Sequence, residues 1–233
     1  AFSTASGGFT LDNFSRMGTY AAVFIRSFKL AIVATLVCLL IGYPLSYVLS
    51  KEGPLTQRVA MVLIMLPMWM NFLLRTYSWM SILENNGLLN QFFQNIGLID
   101  LYNQIAMHFS ANPAKYVPID HFQMIGTQGA VVLGMVYNYL PFMILPIYSV
   151  LVKLDHSLVE AARDLGAGRA QVFQKVILPL SLPGVLSGIT MVFVPAVSTF
   201  AISRLLGGGT QMMLGDLIEL QFFGGAYNPQ LGA

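Results

Sequence analysis

The sequence predicts an all-α membrane protein, a multi-span helical bundle, and three observations carry that prediction. Of its 233 residues, 56% are hydrophobic and only 9% are charged, where a soluble domain carries about 25% charged residues. So few charges cannot cover a water-soluble globule, and the bilayer must be the solvent. A mean hydropathy of +0.68 agrees. Second, the chain holds four mainly apolar runs near the length a spanning helix needs, about 20 residues. Third, a polar stretch between the last two runs keeps helical periodicity and carries helix-end signals. The net charge of +2 says nothing about nucleic acid, and no basic cluster or aromatic-basic stripe supports such a partner, so none is expected.

The first span is expected over residues 28–49, "FKLAIVATLVCLLIGYPLSYVL", closed by "SKEGP". Its Cys38, the only cysteine, reads as a small buried hydrophobe. The second covers 59–83, where Pro67, Asn71 and Arg75 interrupt the apolar surface. The third covers 130–152 with Pro141 and Pro146, and the fourth 183–206 with Pro195. Prolines within spans are tolerated where neighbouring helices or water satisfy the freed carbonyls. They fit helices lining a cavity and ordinary packing kinks equally. Residues 84–129 read as one or two short interfacial helices, with Leu88, Leu89, Phe92, Phe93 and Ile96 at helical spacing, then a Pro-containing loop.

Excess Lys and Arg should mark the cytoplasmic side, but the 12 basic residues divide equally. Lys51, Arg58, Lys153, Arg163, Arg169 and Lys175 fall on one side. Arg16, Arg26, Lys29, Arg75, Lys115 and Arg204 fall on the other. Charge alone does not orient the chain. Its opening, "AFSTASGGFTLDNF", and its end, "GGAYNPQLGA", both read as cut points in a longer membrane protein.

The polar stretch, 153–182, holds most of "LVEAARDLGAGRAQVFQKVILPLSLPG", which runs from Leu158 to Gly184. Ser157 followed by Glu160 has the spacing of a capping box. Leu158, Ala161, Ala162 and Leu165 then share one apolar face. Gly166 stands where a left-handed residue would end the helix. A second helix restarts near Arg169, gathers Val172, Phe173, Val176 and Ile177 on one side, and should stop before Pro179. The pair is too short to span and too apolar to leave in water. It either docks its apolar side into a partner's groove or rests on lipid headgroups.

These residues resemble the EAA loop of ABC importer permeases, with Glu160, Ala161, Ala162, Gly166, Ile177 and Pro179 at the matching positions. The resemblance implies the MetI-like fold of type I importers, a single permease domain over 1–233, and a cytoplasmic coupling helix pair inserted into an ATPase subunit. It puts 153–182 in the cytoplasm and 84–129 outside, in a bacterial plasma membrane, with one helix before residue 1 and at least one after residue 233. It further implies a pair of ATP-binding subunits, a second permease subunit and an extracytoplasmic substrate-binding protein. "FTLDNFSRM", "LIGYPLSYVLSK", "LPMWMNFLLRTYSW", "YNYLPFMILPIYSVLVKLDHSLVEAARDLGA" and "GDLIELQFF" resemble the permeases of spermidine/putrescine importers in particular. The segment from about Ala106 to Thr127 is longer than the pattern.

No phosphate-binding loop is present: "GAGRAQ" lacks the Lys-Ser/Thr pair, and "GGGT" follows a span. ATP and Mg are therefore expected on the partner ATPase, with no cofactor in this chain. No enzymatic step is expected, since an intramembrane enzyme would need HExxH or paired aspartates at bilayer depth. His108, His121 and His156 lack ligand spacing and read as solvated, so no metal is expected. Polar residues within spans are candidates for a translocation path: Asn71, Tyr77, Trp79, Asn138, Tyr139, Ser198 and Thr199. Glu84, Asp216 and Glu219, near the outer ends, could take over a cation from a binding protein, and Arg75 could pair with Glu84 or another outer acid. Each of these side chains fits bundle packing equally well.

Overall fold

A computed structural model of the protein describes residues 20–109 and 117–223, and every regular element among them is helical. The helices are α1 (Ala21–Leu49), α2 (Pro54–Met65, extended by a 3-10 turn, Leu66–Trp69), α3 (Phe72–Leu83), α4 (Leu88–Asn95), α5 (Leu98–Phe109) and α6 (Gln128–Val152). They continue as α7 (His156–Asp164), α8 (Arg169–Val172), a π turn (Phe173–Ile177), α9 (Leu178–Ser198), α10 (Ala201–Leu206) and α11 (Leu214–Phe223). Among the described residues three stretches are each long and apolar enough to cross a membrane, Ala21–Leu49, Gln128–Val152 and Arg169–Ser198, and Pro54–Trp69 with Phe72–Asn95, bent by 90°, are so only as a pair. Arg16, Lys115, "FTLDNFSRM" and both chain ends lie outside the described residues. The chain groups into two compact units.

One unit comprises Phe24–Met70 and Met135–Ser198. Lipid is as apolar as leucine, so helices gain nothing by hiding leucines from it; close approach through small residues drives association instead. The pattern of α1 follows from this. Ser27, Ala31, Ala34, Thr35, Cys38, Gly42 and Ser46 are buried at three- and four-residue spacing, while Leu36, Leu40 and Val48 are exposed. Helix α9 repeats it, burying Ser181, Gly184, Gly188 and Ala196 and exposing Leu182, Leu186 and Val194.

Both stripes press on α6, the most buried of the three long helices. A Cβ on Gly42 would stand 3.0 Å from Met143, and one on Gly184 would stand 2.8 Å from the Pro146 carbonyl and 3.1 Å from the Ile147 Cα. Ser46 donates to the Ile144 carbonyl at 3.2 Å. Because backbone cannot yield as a side chain can, Gly184→Val should cost about 1–3 kcal/mol by overpacking. A lowered melting temperature of the detergent-solubilised protein checks this. Gly53→Val, where a Cβ meets nothing within 4 Å, is the control.

Two expected spans differ from the structure. The 59–83 run is broken: after the 3-10 turn Met70 is extended, and Asn71 caps a new helix by accepting from the Leu73 N–H at 2.8 Å. Pro67 and a strong N-cap residue within five positions override the apolar pattern. The 183–206 run begins earlier and stops at Ser198. There the orphan carbonyls take hydroxyl donors: Ser198 bonds the Val194 oxygen at 3.2 Å and Tyr139 the Pro195 oxygen at 3.4 Å.

The other unit contains Asn71–Gly134 and the described part of Thr199–Ala233. Helix α10 packs against α3 and against the start of α6, where a Cβ on Gly134 would lie 2.4 Å from Leu206. Side-chain amides of α4 and α5 hold the segment around Ile119 and Phe122. Asn90 bonds both the N–H and the carbonyl of Phe122, at 2.9 and 3.1 Å. Asn103 does the same for Ile119, at 3.0 and 2.9 Å. Phe122 stands edge-on to Phe93 and Tyr102.

Candidate functional site

Helix α7 leaves the end of α6 after one turn. Its N-cap is Asp155, whose carboxylate accepts from the Ser157 N–H at 2.9 Å, so the expected Ser157–Glu160 capping box is not the one used. Asp caps as well as Ser, and Asp155 is the residue at which the chain turns out of α6. Glu160 is thereby left free of a structural duty and exposed. The apolar face of α7 stays open to its surroundings: Leu158 is 47% and Leu165 89% exposed.

The end of α7 is a complete Schellman motif. Gly166 N–H donates to the Arg163 carbonyl at 2.8 Å and Ala167 N–H to the Ala162 carbonyl at 3.1 Å. This geometry requires a left-handed residue, and Gly166 supplies it with φ 80°. Gln171 then accepts from the Gly168 N–H at 3.0 Å and starts α8.

Of the apolar side of the second helix, Val172 and Ile177 are buried, and Phe173 and Val176 are half-buried. The expected stop before Pro179 does not occur, because the helix runs unbroken over Arg169–Ser198. The Leu178 N–H donates five residues back, to the Phe173 carbonyl. This wide π turn stands where the Pro179 ring would otherwise meet the Lys175 carbonyl. The second member of the pair is therefore the first turns of a spanning helix.

The π turn also grips α1. Phe173 packs edge-on against Tyr43 and Tyr47, with ring centroids 5.9 and 5.4 Å apart, and the Tyr43 hydroxyl lies 2.9 Å from that of Ser181. A movement of α7 and α8 thus reaches two long helices through rigid contacts. Aromatic side chains in "GYPLSYVL" carried no hint of this, since membrane-edge tyrosines are ordinary interface anchors.

The polar residues of the spans fall into both units. Asn138 and Thr199 are buried, Trp79 and Tyr139 half-buried, and Asn71, Tyr77 and Ser198 exposed. Glu84 is exposed at the end of α3. Asp216 is buried; it accepts from the Ser203 hydroxyl at 2.6 Å and from the Met213 N–H at 2.9 Å. Burial pushes its carboxyl above the usual range, against the pull of those two bonds and of Arg204. Glu219 pairs with Arg204 at 3.0 Å. The pairing of Arg75 with Glu84 is not formed: Arg75 is buried with two guanidinium nitrogens unbonded, and Arg204–Glu219 is the salt bridge among the described residues. The spacing of the two residues on α3 puts Glu84 at the capped end, out of reach.

Long helices packed through small residues, with a capped helix pair at the end of one of them, make an all-helical membrane protein that exposes a short amphipathic helix. Residues 2–230 match the binding-protein-dependent transport system inner membrane component family, and the chain belongs to it, as a multi-pass inner-membrane permease. The spermidine/putrescine transport system permease protein PotB of Escherichia coli (strain K12) is 38% identical over 216 residues, 92% of this chain and 72% of the relative. The Haemophilus influenzae PotB is also 38% identical, over 91% of this chain and 68% of its own length. Among solved structures, a bacterial ABC transporter involved in the import of the acidic polysaccharide alginate shares the fold. It has a TM-score of 0.68 at 16% identity and covers 96% of this chain and 76% of that one. Permeases of this kind act with an ATPase subunit and a binding protein.

Proposed function

We propose that this chain forms half of the translocation path of an ATP-driven polyamine importer and carries no chemical step of its own. The observation that supports polyamines most is the 38% identity to spermidine/putrescine permeases over 92% of the chain. A second permease subunit completes the path. Two copies of an ATP-binding subunit hold ATP and Mg, and an extracytoplasmic binding protein delivers the ligand. Glu160, Ala161, Ala162 and Gly166 form the docking surface for the ATPase, and Ile177 and Pro179 tie it to α9.

Along the path, Asn71, Tyr77, Trp79, Asn138, Tyr139, Ser198 and Thr199 offer the hydroxyls, amides and aromatic faces that an alkylammonium ion binds. Glu84 is the acid best placed for cation hand-over, since Asp216 and Glu219 already have partners. Uptake by cells that lack their own polyamine importers and express this system tests the substrate. Labelled spermidine or putrescine should enter in an energy-dependent way, and each should compete with the other. Uptake of a ferric chelate or a phosphonate instead would overturn the polyamine assignment and leave the permease assignment intact.

A further inference from the structure

A cavity of about 440 Å³ opens at the helix pair. All three membrane-crossing stretches reach it at one end. Tyr47, Ser50 and Lys51 come from the end of α1, Leu151 and Leu154 from the end of α6, and Arg169, Val172 and Ile177 from the start of the α8–α9 stretch. The cavity therefore lies at one end of all three apolar stretches, where helices of this length leave the hydrocarbon. Its fourth wall is α7, with Val159, Glu160 and Arg163.

The basic residues of this wall form no salt bridge among the described residues. Lys51, Arg163 and Arg169 come from three separate elements, and none of them has an acid within 4 Å among the described residues, where Arg204–Glu219 is the salt bridge. Glu160 is the single acid in the lining, which leaves a surplus of positive charge. Lys51 is held in place, its ammonium 3.8 Å from the centre of the Tyr47 ring. Leucine, valine and isoleucine complete the wall beside the span ends. Basic pockets between spanning helices at this depth suit phosphate headgroups, and a volume of a few hundred Å³ is that of a small-ligand site, about 300–1,000 Å³.

We propose that this cavity binds the headgroup of an anionic phospholipid from the adjacent leaflet. The phosphate sits between Arg163 and Arg169, and the glycerol end lies against Leu151 and Leu154. The lipid neutralises the arginines and joins the helix pair to the ends of α1 and α6. This goes beyond the transport reading and does not depend on it, because the site needs only a bilayer.

The test is lipid retention by the full-length protein, purified with its accompanying subunits into nanodiscs. Discs of phosphatidylcholine doped with phosphatidylglycerol are compared, and bound lipid is counted by native mass spectrometry. Phosphatidylglycerol should be retained over phosphatidylcholine. Arg163→Gln and Arg169→Gln should each reduce that preference about fivefold, the effect of one basic residue near an anionic surface. Leu154→Trp, which fills the cavity without touching charge, should remove the bound lipid, and Arg58→Gln, a basic residue outside the lining, should leave it in place. Equal retention of both lipids, or a preference unchanged in both arginine variants, would overturn the proposal. Displacement by millimolar inorganic phosphate would assign the pocket to a soluble phosphate. Retention only after the ATPase subunit is stripped away would assign it to that protein; either result contradicts a resident lipid.

Discussion

Glu160→Lys is expected to abolish ATP-driven uptake while the protein remains inserted and folded. The reason lies in what Glu160 does not do. Asp155 caps α7 in its place, and Glu160 is exposed at the helix surface, so reversing its charge removes no internal bond. Surface substitutions of this type change stability by about 0.5 kcal/mol or less. At a protein interface, losing one member of a hydrogen-bonded charge pair costs about 2–5 kcal/mol, a fall in affinity of about thirtyfold or more. Uptake and ATPase association should drop together, with unchanged membrane abundance and melting temperature. Uptake at the normal rate in this variant would remove Glu160 from the coupling site.

Gly166 should give a graded series in place of an all-or-none loss. Nothing lies within 4 Å of the position a Cβ would take, so the cost of a side chain here is conformational. At φ 80° an ordinary L-residue pays about 1–2 kcal/mol, asparagine less, and a β-branched residue more. Transport should therefore fall in the order Gly166→Asn, Gly166→Ala, Gly166→Val, with Gly166→Asp near Asn in backbone strain but adding a charge. The spanning helices should melt as before, because the Schellman turn holds only the angle between α7 and α8. Uptake independent of side-chain shape at this position would mean that the angle is not used.

Much of the site was legible because helix ends have short-range chemistry. Gly166 could be placed from the apolar spacing of Leu158, Ala161, Ala162 and Leu165 alone, and the structure puts it in the left-handed region. The cap falls at Asp155 and not two residues later, at Ser157; both are good N-cap types, and only the exit direction of α6 decides between them. The continuation of α8 into α9 was illegible for a different reason. Pro179 is a stop signal by local rules, and the π turn that accommodates it has no sequence signature.

In the membrane unit, periodicity located α1 and α6 well, since lipid exposure leaves the apolar pattern unbroken. The same continuity hid the break after Trp69 and the end of α9 at Ser198. Apolar residues carry on across both points, and the deciding bonds come from Asn71, Ser198 and Tyr139. The engaged state of Asp216 was also beyond the sequence. Its partner Ser203 lies 13 positions away, on another helix.

In the proposed function the exposed face of α7 is where the ATPase subunit sits. Site-specific photo-crosslinking tests it most directly. A photoreactive residue replaces Leu165, 89% exposed on the helix pair, or Leu182, 47% exposed on the spanning helix α9, in the assembled transporter. Crosslinks from position 165 to the ATPase subunit, weakened by Glu160→Lys, with position 182 labelling lipid alone, are the result predicted. No ATPase adduct from position 165, in a complex that still hydrolyses ATP and transports, would contradict it.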